Sequence, residues 1–319
     1  MPIESAKAPA SSYRYLRLAM VGLLFALATA VCYQSILQGS LLESVSAYYY
    51  TPAQVVFVGA LIGLGACMIT LQGMNDAENT FLNLGGMFAI VVALIPTGLG
   101  SVFDAAAQAC RKSAGAFLTQ PAAKNQCPTA LALENAARAN VRNNMVTLLV
   151  VGGLVLIFAG LLLFKAREAR KARETESGTQ GRVWVRAGFF AAAVVWLAGL
   201  IGLTASLDWV ASNGHYIAGG GLLVCIVAVA GANAHRLKER PTTGFVPKAE
   251  VLRSPQGYLY TWAAIVMLVV SVVLIVLWQL TVIALFWLEI TVAFLFILFW
   301  LAQTLELAIS DRTGTAQRG

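Results

Sequence analysis

YLYTWAAIVMLVVSVVLIVLWQLTVIALFWLEITVAFLFILFWLAQTLELAI, residues 258–309, decides how this chain folds. Glu289 and Glu306 are its only charged side chains. A hydrocarbon core about 30 Å thick takes about 20 helical residues at 1.5 Å each. An apolar run of about fifty residues is too long for one crossing, so it reads as two transmembrane helices. The expected turn is Trp278-Gln279, an aromatic suited to the interface belt beside a strongly polar amide.

The same pattern extends to the rest of the chain. Runs of spanning length lie at 16–37, 53–71, 82–103, 145–164, 187–206 and 216–234, and with 258–278 and 283–306 they make eight. The chain is 59% hydrophobic and 12% charged, with a mean hydropathy of +0.74. Soluble domains carry about 25% charged residues, and a water-soluble fold this apolar would lack polar surface to cover itself. The expectation is an all-α polytopic membrane protein, one transmembrane domain over 1–319 with about eight transmembrane helices.

Net charge is +7, which in a soluble protein would raise nucleic-acid binding. Here the basic residues flank apolar spans, where they set topology and meet anionic headgroups, so nucleic acid is not an expected partner. With both termini cytoplasmic, the inner side collects Lys7, Arg14, Arg17 and seven Lys/Arg from Lys165 to Arg186. Arg236, Lys238, Arg240, Lys248, Arg253, Arg312 and Arg318 join them. Arg111, Lys112, Lys124, Arg138 and Arg142 fall outside, in the loop 104–144. The expected location is a bacterial plasma membrane. Ala28-Thr29-Ala30 fits a signal-peptide cleavage pattern, but the apolar run continues past it, so an uncleaved first helix is expected.

Of five cysteines, Cys32, Cys67 and Cys225 lie in spans and act as small apolar residues. Cys110 and Cys127 lie in the external loop, where an oxidising compartment lets them pair as a disulfide. Residues 130–144 admit two readings, a surface helix or an extension of the fourth span. No Cys/His spacing suggests zinc, and no phosphate-loop or dinucleotide pattern follows a strand. Neither a metal nor a cofactor is expected.

Glu289, within the eighth span just after Phe286-Trp287-Leu288, is the sharpest polar signal. A carboxylate at that depth is costly and faces a partner or water. Ser44 and Ser46 beside Glu43, Asp104 near the outer end of the third span, and His215 opening the sixth map to the same outer half. Together these five form a candidate outward-facing pocket. The bland reading is a structural network linking His215 to Glu289. The tyrosines Tyr48-Tyr49-Tyr50 fit an interface belt. Pro96-Thr97 breaks the third helix and leaves a carbonyl for a neighbour to satisfy. Gly63/Gly65, Gly85/Gly86, Gly152/Gly153 and 219–221 let helices approach closely.

Several phrases carry a resemblance: SVSAYYYTPAQVVFVGAL (44–61), NLGGMFAIVVALIPT (83–97), His215-Tyr216 and FWLE (286–289). In these the chain resembles an uncharacterised family of bacterial multi-pass membrane proteins. That family is remotely similar to the alkaline ceramidase and adiponectin receptor superfamily, seven-helix proteins with a zinc held by three His, a Ser and an Asp. The resemblance implies Ser44 or Ser46 and His215 as matching polar positions. It does not carry over the zinc chemistry: the chain has two His, His215 and His235, and the topology separates them across the membrane.

Three functions fit the residues. One is an outward pocket binding a lipid or small amphiphile, with catalysis left open. Another is a non-catalytic subunit or scaffold of a larger membrane complex. The third is a transporter, against which stand the absence of a motif shared between 16–164 and 187–309 and the scarcity of midplane charge.

Overall fold

The computed structural model of this 319-residue chain describes residues 7–73, 75–95, 121–171, 179–239 and 255–316. Among them are eight α-helices, one short 3₁₀ helix and no strand. In chain order these are α1 Lys7–Gln38, the 3₁₀ helix Ser46–Tyr50, α2 Gln54–Thr70, α3 Asp76–Leu94 and α4 Pro121–Lys171. Then come α5 Thr179–Ala205, α6 Leu207–Glu239, α7 Pro255–Gln279 and α8 Leu285–Ala316.

Among the described residues, seven helices are long and apolar enough to cross a membrane. Their spanning stretches are Arg14–Gln38, Asp76–Leu94, Arg138–Lys165, Val183–Ala205, Leu207–Asn233, Thr261–Gln279 and Leu285–Ala302. The run at 53–71 becomes α2, which has 17 residues. At 1.5 Å per residue it rises about 26 Å, a little less than the hydrocarbon core.

The apolar stretch 258–309 divides where α7 ends at Gln279 and α8 begins at Leu285. Val282 N–H donates to Leu277 O and Thr281 N–H to Trp278 O, each at 2.9 Å. These are the two nested bonds of a Schellman stop, which needs a left-handed residue after the helix. Thr281 takes that place with φ 58°, a conformation that costs a β-branched residue. Residues 130–144 belong to α4, as an extension of the fourth span and not a separate surface helix. The reason is local: no Gly or Pro interrupts the Ala-rich sequence between Thr129 and Gly152.

The chain divides into two compact units. The first draws on Met1–Ile90, Gly178–Gly188 and Gly220–Gly319. In it α1 packs on α2 and α8, and α7 packs on α8. Met20, Leu24, Leu27 and Val31 recur at helical spacing and form the buried face of α1. The Arg17 guanidinium lies buried 5.3 Å over the Trp300 ring, so this flank charge is packed into the protein. Helices α2 and α3 cross at backbone contact. A Cβ on Gly65 would come within 2.6 Å of Gly86 O, and one on Gly86 within 2.6 Å of Gly65 O.

The second unit, Val91–Ser177 with Phe189–Gly219, has its own core of Ile95, Val141, Met145, Leu149, Val210 and Ala211. Trp196 packs against it, and its Nε1 donates to Leu149 O at 2.7 Å. The indole also covers Gly152 and Gly153, where any Cβ would stand 3.2 Å from a ring carbon. Those glycines are packing positions, as their side-chain-free surface allows.

Candidate functional site

The site begins where α1 stops. Gly39 follows the helix with φ +69°, and the chain turns back toward α1. Tyr48, fully buried, holds it there: its hydroxyl meets Ser35 Oγ at 2.5 Å and accepts the Leu42 N–H at 3.3 Å. Ser44 Oγ accepts the Ala47 N–H at 3.0 Å, a local turn that starts the 3₁₀ helix. Thr51 ends it, donating to Tyr48 O at 2.7 Å and accepting the Ala53 N–H at 3.2 Å, so that α2 can begin.

The start of α8 closes on this segment. Phe286 N–H, one of the amides a helix leaves unbonded at its first turn, donates to Glu43 O at 2.8 Å. One turn further, Glu289 Oε2 accepts the Val45 N–H at 2.5 Å, and Oε1 accepts the Ser46 hydroxyl at 3.1 Å. Ser44 Oγ lies 3.2 Å from Ser46 Oγ. With Ser46 donating to the carboxylate, its oxygen is left to accept from Ser44, so the hydroxyls run in one direction toward Glu289. Ser44 and Ser46 are buried and Glu289 is half-buried.

The structure therefore brings Ser44, Ser46 and Glu289 together in the first unit. Glu289 is the fifth residue of α8, near the end of the helix whose partial positive charge favours a carboxylate. That position offsets part of the cost expected of an acid within a span.

His215 belongs to the second unit. Helix α6 begins at Leu207, with Ser206 Oγ accepting the Trp209 N–H at 3.3 Å, so His215 lies within a helix already under way. Its Nδ1 meets Ile95 O at 2.8 Å, and since a carbonyl can only accept, Nδ1 carries the proton. Asn144 Nδ2 donates to Leu94 O at 2.9 Å. These two side chains meet carbonyls at the end of α3, where a helix leaves its last C=O groups without partners of its own. Arg138 and Asp208 also pair in this unit, an exposed contact of small energetic weight.

No family model, no curated protein and no solved structure matches the chain. Function then rests on what these residues do.

Asp104 and Cys110 lie outside the described residues, and the Cys110–Cys127 disulfide with them; Cys127 falls on α4. Cys32, Cys67 and Cys225 are free thiols. Among the described residues no group of three or more His, Cys, Asp or Glu stands together to hold a metal.

The tyrosines differ from an interface belt. Tyr48 and Tyr49 point into the protein, Tyr49 edge-on to Phe57 with ring centroids 6.3 Å apart. Burial, and then the adjacent Tyr49, push the Tyr50 phenol above its ordinary range. Sequence reasoning missed Ser35, which orders the loop through Tyr48, because a serine inside a spanning run carries no signal of its own. It also missed Asn144 and the Val45 amide, whose roles depend on which helix end comes near.

Proposed function

We propose that this chain is a plasma-membrane protein of eight transmembrane helices with both termini cytoplasmic. Its outward cluster at Ser44, Ser46 and Glu289 lines a pocket for a lipid or small amphiphile. The observation that carries the reading is a chain of two buried hydroxyls, Ser44 to Ser46, that ends on one half-buried carboxylate 243 positions beyond Ser46. Such a chain offers an anionic acceptor beside apolar helices, which suits a headgroup bearing hydroxyl or ammonium donors on an acyl body.

The test is native mass spectrometry of the purified protein from mild detergent, followed by lipid exchange. Wild type should retain a defined lipid, and Glu289→Gln should release it while still folding. A folded Glu289→Gln protein with unchanged lipid retention would refute the pocket. Topology is tested separately: cysteines introduced at Lys171 or Arg240 should resist an impermeant thiol reagent in intact cells.

A second reading, a subunit of a larger membrane complex, draws support from α4 and α5. Only 6% of the spanning stretch of α4 and none of that of α5 is buried. A protein partner would cover those faces; recovery of no stoichiometric partner after gentle solubilisation would leave them to lipid.

A further inference from the structure

The turn between α7 and α8 has the composition of a span. Leu280-Thr281-Val282-Ile283-Ala284 holds no charge, no glycine and no asparagine, whereas turns in water draw on Gly, Asn, Asp, Ser and Pro. Leu280 and Val282 are 64% and 65% exposed, and Trp287 in the first turn of α8 is 52% exposed. The one hydroxyl in the turn, on Thr281, donates to Leu280 O at 2.7 Å.

Backbone amides of the turn also bond within the protein. Leu280 N–H donates to Val276 O at 2.9 Å, the Thr281 and Val282 amides close the end of α7, and Trp287 N–H donates to Ala284 O at 3.1 Å. Phe286 N–H goes to Glu43 O, on the loop that follows α1. That bond sets further exposed apolar side chains at the same end of the first unit: Ile36 and Leu37 in the last turn of α1, and Leu41 beyond it. Across 33–55 and 278–290 the charged side chains are Glu43 and Glu289, with no Lys or Arg.

We propose that this end of the first unit, the α7–α8 turn with the loop after α1, is seated in the headgroup–acyl boundary of a leaflet of neutral lipids. The spanning stretches Thr261–Gln279 and Leu285–Ala302 lead into the turn from both sides, so its exposed side chains continue a surface suited to lipid. Backbone amides satisfied without water are the condition for entering a bilayer. Trp287 then takes its place in the aromatic belt. A surface without cations has nothing to draw anionic headgroups, which selects zwitterionic ones such as phosphatidylcholine. The exposed Glu43 limits the depth, because a carboxylate stays among the headgroups or in water. This inference stands on α7 and α8 as spans and goes beyond the pocket, whose lipid is a ligand and not the surrounding leaflet.

The test is spin-label accessibility in the full chain, its five cysteines replaced by alanine, in phosphatidylcholine liposomes. Single cysteines replace Leu41, Leu280 and Val282. Phe294, exposed within the spanning stretch of α8, is the lipid reference, and Lys171, at the basic end of α4, is the aqueous one. Collisions with oxygen, which dissolves in the bilayer, are compared with collisions with a water-soluble nickel chelate. Labels at all three positions should meet oxygen readily, as at Phe294, and meet the chelate several-fold less often than at Lys171. Chelate access at Leu280 and Val282 equal to that at Lys171 puts the turn in water and overturns the proposal. Shielding from both agents puts protein over the turn and overturns it too. Should the cysteine-free chain fail to fold, wild type is irradiated with a photoactivatable phosphatidylcholine and mapped by peptide mass spectrometry. Adducts on 280–287 support the proposal, and adducts on 291–298 with none on 280–287 refute it. Lipid retention by Glu289→Gln bears on the pocket alone, so the two readings fail separately.

Discussion

Glu289 Oε2 accepts the backbone N–H of Val45 at 2.5 Å, across 244 positions of the chain. Through this bond the start of α8 is fastened to the loop that follows α1, with Ser46 on the second oxygen. Glu289→Ala removes both acceptors at once. The expected loss is about 1–3 kcal/mol, seen as a lower unfolding midpoint in detergent. Glu289→Gln keeps an oxygen and should lose less. A double-mutant cycle with Ser46→Ala should return a coupling of about 0.5–3 kcal/mol, and a value of zero would contradict the contact.

The crossing of α2 and α3 leaves no room for a methyl group. Gly65→Ala and Gly86→Ala each drive a Cβ toward a carbonyl oxygen, which cannot swing aside as a side-chain tip can. Each should destabilise by about 1–3 kcal/mol. Gly22→Ala is the control: nothing stands within 4 Å of its Cβ position, and in a helix alanine is favoured over glycine by about 0.5–1 kcal/mol. Equal midpoints for all three variants would show that the helices do not touch there.

The end of α3 depends on two side chains from other helices. Asn144→Ala and His215→Ala each withdraw a donor from a helix-terminal carbonyl, Leu94 O and Ile95 O respectively. Each should cost about 1–3 kcal/mol. His215→Asn, too short to span the same distance, should fall with the alanine variant. Unchanged stability in His215→Ala would return that residue to consideration as a ligand group.

At the turn between α7 and α8 the prediction has the opposite sign. Thr281 occupies a left-handed conformation at φ 58°, where glycine has no steric penalty. Thr281→Gly should stabilise by about 1 kcal/mol, and Gly39→Ala, at φ +69°, should destabilise by a similar amount. Differential scanning of the two variants checks both signs.

Much of the architecture was legible from residues alone. The run 258–309 had to divide because two crossings fit its length and one does not, and the break falls beside Gln279. Residues 130–144 stayed open between a surface helix and an extension of the fourth span, and the structure takes the extension. The candidate cluster was legible in part. Ser44, Ser46 and Glu289 stood out as polar groups among apolar ones, and they do meet. His215 stood out equally, yet its ring is occupied at the end of α3. The difference between them is not written in their neighbours, since each looks like a polar residue near a membrane face. The buried pair Glu78 and Asn233, joined by a hydrogen bond of 2.8 Å, escaped notice because an acid in a first turn and an amide near a helix end are both ordinary in isolation.

By itself the sequence determined an all-helical chain with helices suited to a bilayer. About twenty apolar residues in succession need their backbone amides satisfied without water, and a helix does this locally. What only the tertiary structure decided is the partner of each polar group: Val45 and Ser46 for Glu289, Ile95 for His215, Asn233 for Glu78. A hydrogen bond requires about 3 Å and an aligned donor, and that condition depends on how distant helices pack, which local pattern does not encode.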